Sequence, residues 1–217
     1  MQVKVVSISK PFIEGLLNAE DLIGYCARVS NPSNQLNTET GPKLLKYLID
    51  HKHWSPFEMV TVTFEITTSR AIAAQILRHR SFSFQEFSQR YSTATGLHSF
   101  DIRKQSEKNR QSSTEKLDLT KEEIESIENY LQDGVILYNN LVNKGAAKEC
   151  ARMVLPLCTE TTLYMSGSVR SWIHYLDLRT QEDTQLEHRI LANQIKNLFI
   201  LHFPNTSKAL NWNVSVD

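Results

Sequence analysis

MVTVTFEITTSRAIAAQILRH, residues 59–79, changes its hydrophobic period part-way along. Val60, Val62, Phe64 and Ile66 alternate with polar residues, which places them on one face of a strand over Met59–Ile66. Ser69 then stands where a serine can cap a helix, predicted from Arg70 to about His79, with Ile72, Ala73, Ile76 and Leu77 as its apolar content. Working outward, Met1-Gln-Val-Lys-Val-Val-Ser-Ile reads as a short strand, 18–29 as a helix capped by Asn18, and 42–51 as a helix with Pro42 in its first turn. Residues 81–92 are predicted to be a loop running into a short extended segment, and 96–118 a polar surface excursion to which the sequence assigns no role. A long helix starts at Thr120, which forms a capping-box spacing with Glu123, carries a stripe of Ile124, Ile127, Leu131, Val135, Tyr138 and Leu141, and stops at Gly145. Residues 148–155 are helical up to Pro156, 160–167 a strand, and 169–178 and 183–202 helices, the last stopped by Pro204. Strands and helices mix without regular βαβ alternation, so the expected fold class is α+β, one domain over residues 1–217 with helices packed on a mixed or antiparallel sheet.

The bulk composition sets limits on function. The 217 residues carry 24 Lys+Arg against 24 Asp+Glu. A chain without net charge lacks the composition of a general nucleic-acid coat or membrane-surface binder, so any anion site must be a local gathering of arginines. Cys26, Cys150 and Cys158 are odd in number and scattered, which suggests neither a disulfide framework nor a zinc site, and no metal is expected. The N-terminus lacks the apolar stretch of a signal peptide and no apolar run reaches spanning length, so the expected location is the reducing cytoplasm.

The arginines gather in QILRHRSFSFQEFSQRY, residues 75–91. On a helix that runs to His79, Gln75, Arg78 and His79 share a face at the C-terminal end. Ser88 and Arg90, two apart on an extended segment, would point the same way. Planar donors at this density suit a phosphate and a pyrimidine edge, because guanidinium binds both through paired hydrogen bonds. Two other readings stay open on these residues alone: a solvated basic cap favoured by the helix dipole, or an RNA-binding patch with Phe82, Phe84 and Phe87 as stacking platforms. Arg152 could equally pair with Glu149, three residues away.

Arg78-His79-Arg80, followed after seven residues by Ser88 and then Arg90, resembles the signature of flavin-dependent thymidylate synthases. The similarity extends to Ala27-Arg28-Val29-Ser30, to the H-x-H-x-S-P-F-E segment from His51 to Glu58, to A-R-x-x-L-P at Ala151–Pro156, and to R-x-x-x-H-x-x-x-x-R from Arg170 to Arg179. Met59 stands where members commonly carry His, and Ser168 where many carry Asn.

The resemblance implies the fold of that family, a homotetramer whose active sites draw on several subunits, and reductive methylation of dUMP to dTMP. FAD would be the cofactor, with NADPH as reductant and methylene-tetrahydrofolate as carbon donor. It implies that His53, Ser55, Arg78, His79, Arg80, Glu86, Ser168, Val169, Arg170 and His174 contact FAD. Gln75, Ile76, Leu77, Arg78, Glu86, Phe87, Ser88, Gln89, Arg90, Arg152 and Arg179 would hold dUMP. Arg179 would be the activating residue, stabilising negative charge on N3 and O4 of the uracil and removing the need for a cysteine nucleophile. A related enzyme using the same site to deliver a hydroxymethyl group is not separable by sequence.

Overall fold

The computed structural model describes residues 1–93 and 96–213; the last four positions of the C-terminal fifteen lie outside the described residues. The period change at Ser69 is realised. Strand β1 (Gln2–Ile8) is followed by α1 (Ala19–Ala27) and α2 (Gly41–Asp50), then by β2 (Thr61–Ser69), which passes directly into α3 (Arg70–Ile76). A short strand β3 (Ser83–Glu86) and a hairpin, β4 (Arg103–Gln105) with β5 (Ser113–Lys116), precede the long helix α4 (Lys121–Asn143). After α5 (Lys148–Ala151), strand β6 (Glu160–Ser168) passes directly into α6 (Val169–Arg179), and α7 (Leu186–His202) and α8 (Pro204–Ala209) complete the described chain. Among the described residues, one four-stranded antiparallel sheet has the order β1-β2-β6-β3. The fold is α+β, as expected.

The central ladder positions the rest. Strands β2 and β6 pair over their full length, from Thr61↔Ser168 to Ser69↔Glu160. Each strand therefore ends beside the start of the other, and each ends in a serine that caps the helix it feeds. Ser69 Oγ accepts from the backbone N–H of Ile72, and Ser168 Oγ from that of Ser171. The nine-residue ladder is about 30 Å long. Helices of seven and eleven residues, about 10 and 16 Å, start at its opposite ends and pack back along the sheet, so their C-terminal ends meet. They meet at His79 and Arg179, whose Nε2 and Nε lie 2.9 Å apart.

One face of the ladder is the core. Val62, Phe64, Ile66 and Thr68 of β2 and Thr161, Leu163 and Met165 of β6 are buried, alternating with exposed or half-buried neighbours as a period of two requires. Ile72, Ala73 and Ile76 of α3 and Val169, Trp172, Ile173 and Leu176 of α6 close over them, and Trp172 donates from Nε1 to the Val62 carbonyl at 3.1 Å. Phe199 and Phe203 stack at 4.7 Å and carry the same core outward to α7 and α8.

Several expectations need correction. The helix after Ser69 ends at Ile76, because its last turn tightens: the N–H groups of Arg78 and His79 reach back only three residues, to the carbonyls of Gln75 and Ile76. Leu77 is consequently turned outward, 39% exposed. Ser88 and Arg90 sit in a turn closed by the Tyr91 and Ser92 N–H groups on the Ser88 carbonyl, where side chains two apart do not share a face. The excursion at 96–118 contains the hairpin, and Leu97 bridges Thr159. Only Val135 and Tyr138 of the α4 stripe are fully buried, since Ile124 faces a groove against the hairpin. Pro204 ends α7 and also begins α8. The Glu20 carboxylate on α1 accepts from the N–H groups of Asn205 and Thr206 and from both their side chains, at 2.6–3.2 Å, supplying the cap that the local sequence lacks.

Candidate active site

His79 is the pivot. Burial, reinforced by the positive charges of Arg179 and Arg78, pushes its imidazole down to about 4, so it is neutral near pH 7. A neutral ring can accept at Nε2, and Arg179 donates to it from Nε. The edge of the His79 ring packs against Tyr175 with centroids 4.9 Å apart. Below it, Phe82 sits against Trp172 and Tyr175, at 4.7 and 5.8 Å. Phe82 reaches that seat because residue 167 is glycine: a Cβ there would lie 2.4 Å from the Phe82 ring. Phe82 and Phe84 are therefore packed against the core, which leaves the RNA-stacking reading without two of its three platforms.

Gln75 faces inward from α3. Its Oε1 lies 3.2 Å from His188 Nδ1, and its Nε2 donates to Gln185 at 2.6 Å. The neighbouring Ile76 is wholly buried, as is Val169, so neither offers a side chain to a ligand. Arg78 and Arg80 are exposed on either side of His79, at the end of α3 where the backbone dipole favours cations.

On the outer side of α6 a groove of about 660 Å³ is lined by Lys52, Trp54, Ser81, Arg170, His174 and Trp212, among others. Arg170 pairs with Glu58 at 2.6 Å. His53, exposed beside Tyr47 and His51, and Ser55, at the first position of a 3-10 turn (Ser55–Glu58), precede that glutamate. The Ser168 hydroxyl is engaged in capping α6. Cations beside planar and apolar side chains form a donor set suited to a dinucleotide diphosphate and a flavin ring, so the residues present fit FAD.

The remaining predicted residues form a separate group. Glu86, on the edge strand β3, is held by Arg70 at 2.6 Å and by the Thr161 hydroxyl at 2.9 Å. The Phe87 N–H donates to the Thr162 carbonyl. Gln89 is 6% exposed and its Nε2 has no partner among the described residues. Arg90 takes the carboxylate of Glu149 at 3.3 Å, so Glu149 is not the partner of Arg152, which opens a half-exposed 3-10 turn (Arg152–Val154). No hydrogen bond or ion pair among the described residues joins this group to His79 or Arg179.

Sequence reasoning passed over Arg70, Arg103, Tyr175, Gln185, Glu187 and His188, all of which touch predicted site residues directly or through one or two neighbours. Their types and spacing carry no signal, because their partners are remote in the chain. Among the cysteines, burial pushes the thiols of Cys26 and Cys158 up, and Cys150 is exposed on α5. A raised thiol is a poor nucleophile at neutral pH. No helix among the described residues is long and apolar enough to cross a membrane.

The chain resembles known proteins over nearly its whole length. A family model described as thymidylate synthase complementing protein matches residues 12–205. The chain is 53% identical over 216 residues to a probable flavin-dependent thymidylate synthase of Paramecium bursaria Chlorella virus 1, covering 98% of this chain and 100% of that one. It is 50% identical over 220 residues to a flavin-dependent thymidylate synthase of Synechocystis sp. (strain ATCC 27184 / PCC 6803 / Kazusa), with 98% and 100% covered. Among solved structures it resembles the UMP/dUMP methylase PolB from Streptomyces cacaoi bound with 5-Br dUMP. The TM-score is 0.83 at 25% identity, over 97% of this chain and 94% of that one.

Proposed function

Because this chain belongs to the flavin-dependent thymidylate synthase family, we propose that the Arg179–His79 pair is the centre at which dUMP is methylated. The reaction class, flavin-dependent thymidylate synthesis, follows from membership. The proposal concerns how this chain performs it: dUMP as acceptor, methylene-tetrahydrofolate as carbon donor and NADPH as reductant, in a single domain spanning the chain.

The observation that carries the reading is the hydrogen bond from Arg179 Nε to a neutral His79. With Nε occupied, the guanidinium is fixed in plane and its terminal Nη donors remain for the N3–O4 edge of a pyrimidine. Electron density must move into the uracil ring for C5 to attack carbon, and a fixed guanidinium opposes the resulting charge on N3 and O4. One such charge-assisted bond contributes about 1.5–3 kcal/mol, and its pre-set orientation means no reorganisation is needed as the charge develops. The bound flavin supplies the hydride that converts the transferred methylene into a methyl. Arg170, His174, Lys52 and Trp54 of the groove, with Arg78, His79, Arg80, His53 and Ser55 near it and the capping segment of Ser168 and Val169, are the residues proposed to hold it.

Glu86, Phe87, Ser88, Gln89, Arg90 and Arg152 are proposed to contact dUMP together with Gln75, the segment of Ile76 and Leu77, Arg78 and Arg179. Within one chain the group around Arg90 and the group around Arg179 are unconnected, which supports sites shared between subunits of a homotetramer. Tyr91, Met153 and Leu157, all more than 70% exposed beside the Arg90 group, supply apolar surface for such an assembly. A cytoplasmic location agrees with the free thiols.

The test is product mass after anaerobic incubation of the purified protein with FAD, NADPH, methylene-tetrahydrofolate and dUMP. The expected product is dTMP, dependent on FAD. A hydroxymethyl product would keep the site and change the final step, and unmodified nucleotide from folded, flavin-loaded protein would refute the catalytic reading.

A further inference from the structure

A single file of hydrogen bonds runs from the β4–β5 hairpin, through the exposed Gln185, to the ring packed on His79. At its outer end Arg103, on β4, grips both carboxylate oxygens of Glu187 at 2.7 and 2.9 Å, with both side chains at most 13% exposed. Gln185 Nε2 donates to Glu187 Oε2 at 2.9 Å, and Gln75 Nε2 donates to Gln185 Oε1 at 2.6 Å. His188 Nδ1 meets Gln75 Oε1 at 3.2 Å, and Tyr175 Oη meets His188 Nε2 at 2.9 Å. His188 and Tyr175 are both wholly buried. The file ties together α3, α6, α7 and the hairpin that the sequence left without a role.

Every bond in this file has its direction dictated by the one before it. An ionised carboxylate only accepts, so Gln185 must turn its NH₂ to Glu187 and its oxygen to Gln75. Gln75 must then offer its NH₂ to that oxygen, which turns its own oxygen to His188. His188 must therefore carry its proton on Nδ1, leaving Nε2 to accept from the Tyr175 hydroxyl. The charge states agree: burial raises the Glu187 carboxyl, but hydrogen bonds from Arg103 and Gln185 outweigh it and hold the group below its usual range. Burial, with the nearby charge of Arg179, lowers His188 to about 3 and keeps it neutral.

The geometry points to Glu187, Gln185 and His188 as positioning residues that lock the Gln75 carboxamide in one of its two flips, with the Arg103–Glu187 ion pair setting the direction. This rests on the reading of Gln75 as a dUMP contact, since the locked flip fixes which donor and acceptor capacity Gln75 has left for the nucleotide. In Glu187→Gln the new side chain can turn either NH₂ or oxygen towards Gln185. The file then loses its fixed direction, although nearly all of its shape is kept.

The experiment pairs histidine nitrogen-15 spectroscopy with dUMP kinetics on the flavin-loaded enzyme. His188 resonances are assigned as those missing from His188→Asn. In the wild type His188 should be neutral with the proton on Nδ1. In Glu187→Gln that tautomer should give way to a mixture, with KM for dUMP rising about ten-fold while kcat changes less than three-fold. The Nε2 tautomer in the wild type would overturn the proposal without any variant being made, and so would an unchanged tautomer and KM in Glu187→Gln. Gln75→Ala separates the two claims. If it leaves KM for dUMP unchanged while the tautomer result holds, Gln75 is not a dUMP contact, and the claim that the lock serves dUMP binding falls with that reading.

Discussion

Arg179 makes its one hydrogen bond within the described chain through Nε, to a ring that burial keeps neutral. Had His79 been charged, two cations would face each other and the guanidinium would swing away. Arg179→Ala should therefore lower turnover by about 10²–10³-fold, the scale of losing one pre-organised donor at a developing oxyanion. The groove proposed for the flavin, on the other side of α6, stays intact, so the visible absorbance of bound flavin should persist. Arg179→Lys should recover little, because an ammonium lacks both the fork and the Nε that His79 holds. Steady-state kinetics beside a flavin absorbance spectrum checks both; full loss of flavin in Arg179→Ala would assign the residue to cofactor binding instead.

The packing of the elements depends on two contacts between residues far apart in sequence. Gly167 leaves room for the Phe82 ring, which an alanine methyl would approach to 2.4 Å. Gly167→Ala should cost about 1–3 kcal/mol, the usual range for an overpacked site, and should also lower turnover by disturbing the Phe82–Tyr175–His79 stack. In a Phe82→Ala background Gly167→Ala should cost far less, because the ring it would strike is gone, as urea titrations of the single and double variants would show. Glu20→Ala should cost about 1–3 kcal/mol, because the α8 N–H groups of Asn205 and Thr206 lose their acceptor. Urea midpoints would measure it, and a value below a few tenths would mean water caps α8 equally well. These two contacts mark the limit of what is legible in the sequence. Caps built from neighbours are readable: Asn18, Ser69, Thr120 with Glu123, and Gly145 at φ +90° all stand where the local signal puts them. The Glu20 cap and the bonds that tie Arg103 to Glu187 and Gln75 to Gln185 depend on partners 84 to 186 residues away, and no local window contains them. The site divides in the same way. Its arginines are visible by type and spacing, while the ion pairs that hold Glu86 to Arg70 and Arg90 to Glu149 follow only from the fold.

Across the whole molecule, charges cancel at 24 against 24, so long-range repulsion is a weak contributor to the pH dependence of stability and individual buried groups dominate it. His79 and His188 are held down to about 4 and about 3, and burial also lowers His98. An unfolded histidine titrates near 6.5. Between that value and the folded values the unfolded chain binds protons that the folded chain refuses, so stability rises with pH there. The stabilisation is complete above about pH 6.5 and is lost as pH falls towards 4. Carboxylates whose folded values lie below the usual range, Glu187 among them, add their own loss only below about pH 4.5. The interval from pH 6.5 to 5 therefore isolates the histidines. The thermal midpoint should fall steadily across it in the wild type and less steeply in His188→Asn, which removes the most deeply buried of the three. Differential scanning calorimetry at closely spaced pH values is the measurement. Equal slopes for the two proteins would mean that His188 takes up its proton in the folded state, and the neutral, acceptor-bearing ring beside Tyr175 would have to be given up.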